Sequence, residues 1–352
     1  ASHPCAVSAP REPPTALFWR AGELVELEGT DLFQYTQGRV IAIRHQHSRL
    51  SEAELSPPPL TAFKRALSQV WSRSHAIERL PGEGEVPALL PLIDLFNFGR
   101  PSNVLPLHKV TSSDGRTEAL ELRAGPKPIG EGDECTMTYS KAISNTKLML
   151  DYGFCIEANE HDSVDVALSN RYMHRGEEEG ELTESARALV EQRIMCFRHL
   201  MPSATRAPLA LSGARPPIEM LVFARVANLD AATINRIFEQ FNARLADRQG
   251  HMISSFIGAS LADLGDDIVT GPGVVRVVER ILVDRLAQHH STLADDLMAL
   301  DRSHWSNARH NCAMRLRISE KRVLNHWLRW VHERKRACGM SEDATPLGRA
   351  GT

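Results

Sequence analysis

The chain has 352 residues, 42% of them hydrophobic, with 41 basic and 44 acidic side chains for a formal net charge of −3. That is enough apolar material for a sizeable core in one large domain or two, and it leaves no net field to draw the protein onto nucleic acid or an anionic membrane. The six cysteines, Cys5, Cys135, Cys155, Cys196, Cys312 and Cys338, show no C-x-x-C spacing, and no apolar run approaches the ~20 residues of a bilayer span, so a zinc site, a disulfide framework and a membrane anchor are all disfavoured.

In chain order, "ASHPCAVSAPREPP" lacks the basic segment and apolar core of a secretion signal. With the cysteine usage, this points to an intracellular, reducing setting, cytoplasmic by first choice with nucleus or plastid as alternatives. Up to about residue 175, the stretches "SPPPL", "LPGEGEVPALLPLIDLFNF" and "RAGPKPIGEGDE" cut the chain into pieces too short for long helices, so irregular strands and loops are expected. The exception is "TAFKRALSQVWSR", where Phe63, Ala66, Leu67, Val70 and Trp71 fall at helical spacing behind Thr61 as a possible cap. "EALELRA" and "ECTMTY" read as two strands of a hairpin turning at "GPKPIGEGD".

Residues 132–154, "GDECTMTYSKAISNTKLMLDYGF", read as a strand, a small polar turn and a short helix capped by Ser144 or Asn145, and they hold two of the four tyrosines, Tyr139 and Tyr152. After "RGEEEGELTES", read as a solvated linker, the pattern changes to amphipathic helices. "DAATINRIFEQFNARLADRQG" starts at Asp230 and carries Ile234, Ile237, Phe238 and Phe241 on one side. Two further helical stretches follow, and "GMSEDATPLGRAGT" reads as a flexible tail. The expected division is 1–175, 176–338 and 339–352. His45 with His47, His289 with His290, and His304 with His310 lack a convergent carboxylate or cysteine set, so no metal is expected. Gly-x-Ser-x-Gly, P-loop and dinucleotide-binding patterns are missing.

Several segments in order, "WSRSHAI", "ALLPLIDLFNF", "IGEGDECTMTYSKAISNTKLMLDYGF" and "ANEHDSVDVAL", resemble the later part of a SET domain, in the branch containing Rubisco large-subunit methyltransferase and the actin-histidine methyltransferase. "STLADDLMAL" followed by "RISEKRVLNHWL" is similar to that branch's substrate-binding domain, where Thr-Leu-x-x-Asp precedes Arg-x-x-Glu-Lys. The resemblance spans roughly residues 18 to 335. It implies an α+β fold, a β-rich SET domain followed by an all-α substrate-binding domain. It also implies an S-adenosylmethionine-dependent protein N-methyltransferase acting on lysine or histidine in a protein substrate, expected as a monomer with no nucleic-acid or membrane partner.

Methyl transfer is an in-line displacement in which positioning dominates, and a phenol at a strand end can orient the reacting groups while its ring excludes water. The resemblance gives that role to Tyr139 and Tyr152 without ranking them. It assigns cofactor contacts to Arg73, Asp94, Leu95, Phe96, Asn97, Phe98, Tyr152, Gly153 and Phe154. Plainer readings stand beside these: a core aromatic for Tyr139 and Phe154, an Asx turn for Asn97 and a helix-end charge for Arg73. Phe98 departs from the histidine usual in the family. No glycine-bearing strand resembling the family's first cofactor segment precedes "ALFWRAGELVELEGTDL", so the chain is expected to begin inside the domain. A SET-derived protein-binding module that has lost turnover is therefore the alternative reading.

Overall fold

The computed structural model describes residues 13–53, 56–78, 85–111, 118–174, 183–201, 204, 209–212, 217–246, 271–302 and 308–340. The run Glu177–Glu179, the division near 175, Cys5, His304 and the tail from 341 lie outside them. The fold is α+β, in two compact units: Ala1–Ala21 with Gln34–Cys155, and Gly22–Phe33 with Ile156–Thr352.

The stretch before residue 60, expected to be irregular, instead contains a 22-residue helix, α1, Asp31–Glu52. Its apolar stripe is too sparse to register as a helical period, since among its apolar side chains only Leu32 and Ile43 are buried. Within the first unit it is anchored through Arg39, which ion-pairs with Asp151, donates to the Leu150 carbonyl at 3.2 Å and lies 4.5 Å over the Trp71 ring. Helix α2, Leu60–Arg73, matches the expected helix, but its N-cap is Pro59 and Thr61 lies in the first turn. The Pro59 carbonyl takes the Ala62 and Phe63 amides, leaving Thr61 no capping role.

Strand β1, Ser74–Glu78, pairs antiparallel with β2, Glu85–Leu89, bringing Ser74 opposite Leu89. Strand β3, Asn97–Phe98, is followed by β4, His108–Thr111, β5, Glu118–Glu121, and β6, Thr136–Met137, and runs parallel to one of these three. That later strand is β6, with Asn97 opposite Thr136, while β4 and β5 pair antiparallel with each other. The expected hairpin between "EALELRA" and "ECTMTY" therefore does not form. Asn103 holds the polar groups such a hairpin would use: its Nδ2 donates to the Glu134 carbonyl at 2.8 Å, its Oδ1 accepts from the Thr136 amide at 2.7 Å, and its carbonyl accepts from the Gly125 amide at 2.8 Å.

Helix α3, Asn145–Asp151, is capped by Ser144, whose Oγ accepts from the Lys147 amide at 3.3 Å. It buries Leu148, Met149 and Leu150 and ends where Tyr152 and Gly153 both return their amides to the Leu148 carbonyl.

In the second unit, β7, Val164–Val166, pairs antiparallel with β8, Leu209–Leu211, the one strand among the described residues of 176–338, which are otherwise helical. The helices are α4, Glu184–Leu200, α5, Ile218–Val226, α6, Ala231–Ala246, α7, Pro272–Leu286, α8, Leu293–Arg302, and α9, Ala308–Ala337. Asp230 caps α6 as expected, accepting from the Thr233 amide at 2.8 Å. Ile234 and Ile237 enter a core that includes Phe223, Val278, Leu282 and Trp327.

The Thr-Leu-x-x-Asp and Arg-x-x-Glu-Lys residues form a buried ionic assembly. Asp296, 2% exposed, pairs with Lys321, which is fully buried, and with Arg317 at 3.1 Å. Glu320 and Asp31 both pair with Arg285 at 2.8 Å. Burial pushes the Asp31 carboxyl up to about 6 against the pull of Arg285, and burial beside Asp31 raises Glu320 well above its usual range. His289, on the same assembly, is pushed down to about 3, first by burial and then by the Arg285 charge.

Candidate active site

Every residue assigned to the site from sequence falls in the first unit. Tyr139 follows β6, and Tyr152, Gly153 and Phe154 follow α3, so one strand-turn-helix delivers three aromatic rings to one place. The Tyr139 and Tyr152 rings stack at 4.6 Å between centroids with a 34° tilt. Phe98 meets Tyr139 edge-on at 5.5 Å and Phe154 at 5.3 Å, and Tyr152 and Phe154 lie 6.3 Å apart. The four rings form a continuous wall, each contact worth about 0.5–1.5 kcal/mol beyond its buried area.

The 94–98 loop is tied to this wall by the Tyr139 hydroxyl, which donates to the Phe96 carbonyl at 3.0 Å. Tyr152 makes no such bond with a described residue. Burial raises both phenols, Tyr139 with Arg73 partly offsetting it, and Tyr152 to about 12 with Asp151 and Tyr139 adding to the rise. Both therefore stay protonated near neutral pH, as donors and positioners but not as bases.

Arg73, the last residue of α2, donates from Nη1 to the Asp94 carbonyl at 3.0 Å, fixing the loop at its first residue. The Asp94 side chain is 8% exposed, and both its carboxylate oxygens are buried without a hydrogen-bond partner among the described residues. His75 on β1 is pushed down by burial and up by the charge of Asp94. Asn97 and Leu95 are exposed, and Asn97 donates to Glu134 Oε1 at 2.6 Å, so its amide is neither buried nor closing an Asx turn. Phe96 is half-buried.

Gly153 has φ +84°, and a Cβ there would stand 2.5 Å from Pro14 Cγ and 2.8 Å from the Thr15 amide nitrogen. The close approach that this glycine allows is to the Pro14–Thr15 segment. Pro14, His75 and Glu134 all bear on the site and were not identified from sequence. His75 stands two residues after Arg73 in "WSRSHAI" and Glu134 five residues before Tyr139 in "GDECTMTY", whereas nothing local points to Pro14.

The donor set suits S-adenosylmethionine. Arg73 has guanidinium nitrogens beyond the one given to Asp94 and matches a carboxylate, the orphaned Asp94 carboxylate matches an ammonium, and an electron-rich aromatic wall suits a sulfonium.

Residues 184–324 match the family model described as Rubisco LSMT substrate-binding. The chain is 21% identical over 326 residues to the chloroplastic Rubisco large subunit N-methyltransferase of Nicotiana tabacum, covering 90% of this chain and 60% of that protein. It is 24% identical over 328 residues to the chloroplastic fructose-bisphosphate aldolase-lysine N-methyltransferase of Arabidopsis thaliana, covering 90% of this chain and 61% of that one. The chain thus spans about 60% of the length of these curated relatives. The solved SET domain of LSMT bound to lysine and AdoHcy superposes with a TM-score of 0.67 at 19% identity, over 97% of this chain and 74% of the other.

Proposed function

We propose that this chain, which shares its fold with the SET domain of LSMT and carries a Rubisco LSMT substrate-binding region, is an S-adenosylmethionine-dependent protein N-methyltransferase acting on lysine. The observation that carries the reading is the juxtaposition of the Tyr139–Tyr152 pair with the 94–98 loop, tied together through the Phe96 carbonyl. When bound, the cofactor supplies an electrophilic methyl group. Arg73 and Asp94 would hold its charged ends, and Phe98, Tyr139, Tyr152 and Phe154 would wall the path of the incoming nitrogen against water.

Division of labour follows from the hydrogen bonds. Tyr139 spends its hydroxyl on holding the loop, whereas Tyr152 keeps its own for the reacting groups. Lysine is favoured over histidine because the similar aldolase-lysine methyltransferase and the LSMT structure bound to lysine name that acceptor, and because an aromatic wall attracts an ammonium ion more strongly than a neutral imidazole. With both phenols protonated, neither is the base that discharges that ammonium. Phe98 serves as wall rather than as a hydrogen-bonding group.

The helical region 184–324 is the surface we assign to a protein substrate, on the strength of the family match, and the chain is proposed to act as a monomer without nucleic acid. Among the described residues, no helix is long and apolar enough to cross a membrane. The relatives named above are chloroplastic, which makes a plastid the compartment we favour over the cytoplasm. Isothermal titration of S-adenosylmethionine, followed by mass spectrometry of plastid-extract proteins incubated with it, tests the proposal. Binding with trimethyl, dimethyl or monomethyl lysine on a recipient protein is expected. Binding without any methylated product, or no binding of the cofactor under saturating conditions, would overturn the enzymatic reading and favour the turnover-deficient protein-binding scaffold.

A further inference from the structure

The start of α7 borders a cavity of about 540 Å³ in the second unit, lined by Tyr172, His174, Asn228, Gly273, Arg276 and Arg280. We propose that it is a binding site for a small phosphate-bearing molecule, separate from the aromatic site of the first unit.

Charge carries the first part of the argument. Arg276 and Arg280 stand one turn apart on α7, so they share a face. Carboxylates near them are engaged elsewhere: Glu279 with Lys335 at 2.7 Å, and Asp284 with Arg171 at 3.0 Å and with the Tyr172 hydroxyl at 2.9 Å. Neither Arg276 nor Arg280 makes an ion pair with a described residue. Arg280 stands 5.6 Å over the Tyr172 ring and reaches the His174 carbonyl at 3.4 Å.

Donors carry the second part. The first amides of a helix have no intrahelical acceptor, and α7 spans 15 residues behind Gly271, with Pro272 taking the first position. Gly273 brings this end hard against Asn228: a Cβ would fall 2.3 Å from Asn228 Oδ1. His174 supplies an independent sign of a ligand. It is only 9% exposed, it lines the cavity, and neither ring nitrogen has a hydrogen-bond partner among the described residues. A buried polar group left unpaired costs about 1–3 kcal/mol, which an oxyanion accepting from the ring N–H would relieve. Two guanidinium groups, an imidazole and a helix N-terminus converging on one cavity make a phosphate site. The volume exceeds that of a bare ion and falls within the range of small-molecule pockets, about 300–1,000 Å³.

The test is calorimetric titration of the full chain at constant ionic strength with inorganic phosphate and with glucose 6-phosphate. Saturable binding is expected for both, tighter for the sugar phosphate because its body fills the cavity. Arg276→Gln should weaken both by about tenfold or more. The Arg276 side chain is exposed, so this variant folds, and an unchanged thermal midpoint verifies that. Arg280→Gln is the second variant, expected to act in the same direction. Absence of saturable heat, affinity unchanged in both variants, or inorganic phosphate binding more tightly than the sugar phosphate would overturn the proposal.

Discussion

Tyr152→Phe removes the site hydroxyl that makes no hydrogen bond with a described residue. It should lower single-turnover methyl transfer by about 10²–10³, the scale of losing one donor aimed at reacting groups, while leaving the denaturation midpoint near the parent's. Tyr139→Phe breaks the bond to the Phe96 carbonyl and should cost about 0.5–1.5 kcal/mol of stability, with weaker S-adenosylmethionine binding. If the two variants exchanged these effects, the roles would be exchanged too. Gly153→Ala should destabilise by more than the roughly 1–2 kcal/mol of a left-handed alanine, because its Cβ would also strike Pro14, read as a drop in the urea midpoint.

His289 sets a pH dependence. Its folded pKa, about 3, lies below the unfolded value of 6.5, so the folded state refuses a proton that the unfolded state accepts, and stability is lost as pH falls below 6.5. Between about pH 7 and about pH 5 that loss is roughly 2 kcal/mol. His289→Gln should show a correspondingly smaller acid-side loss than the parent in paired urea titrations. Asp31, raised to about 6, acts in the opposite sense in both proteins, gaining stability on acidification, and so drops out of the comparison. At this scale the tyrosines, Arg73 and the 94–98 loop were legible because each sits in a short ordered motif. The Pro14–Thr15 segment was not, because it reaches the site from a distant chain position that no local pattern marks, and Glu134, although inside the 132–154 motif, looks there like any solvated turn carboxylate.

Among the elements, α3 matters most because it places Tyr152. Ser144→Ala should cost about 1 kcal/mol and Ser144→Gly only a few tenths, since glycine also tolerates the cap conformation. Denaturant midpoints of the two variants check the difference. This cap, the α2 span and the Asp230 cap were legible because capping and helical period are local. Helix α1 was not, because its buried apolar positions, Leu32 and Ile43, are eleven residues apart on a surface that is otherwise largely exposed. The strand pairing was hidden for another reason. Parallel pairing of β3 with β6 joins residues nearly forty apart, and the Asn103 side chain that enforces it looks in sequence like any loop asparagine.

At the scale of the molecule, each unit has its own source of cohesion. The second rests on its apolar core and on the buried charges of Asp31, Arg285, Asp296, Arg317, Glu320 and Lys321. Asp296→Ala leaves Lys321 buried and unpaired and should cost about 3–5 kcal/mol. The double change Asp296→Leu with Lys321→Met should cost less than the single one, because both charges leave together, and urea unfolding of the two variants tests the ordering. The motifs that revealed the helical region in the sequence are thus its internal framework rather than a surface for a partner. Since these ions are shut away from solvent, dissolved electrolyte has little access to them, and a brine that loosens ordinary surface pairs should leave this framework almost untouched.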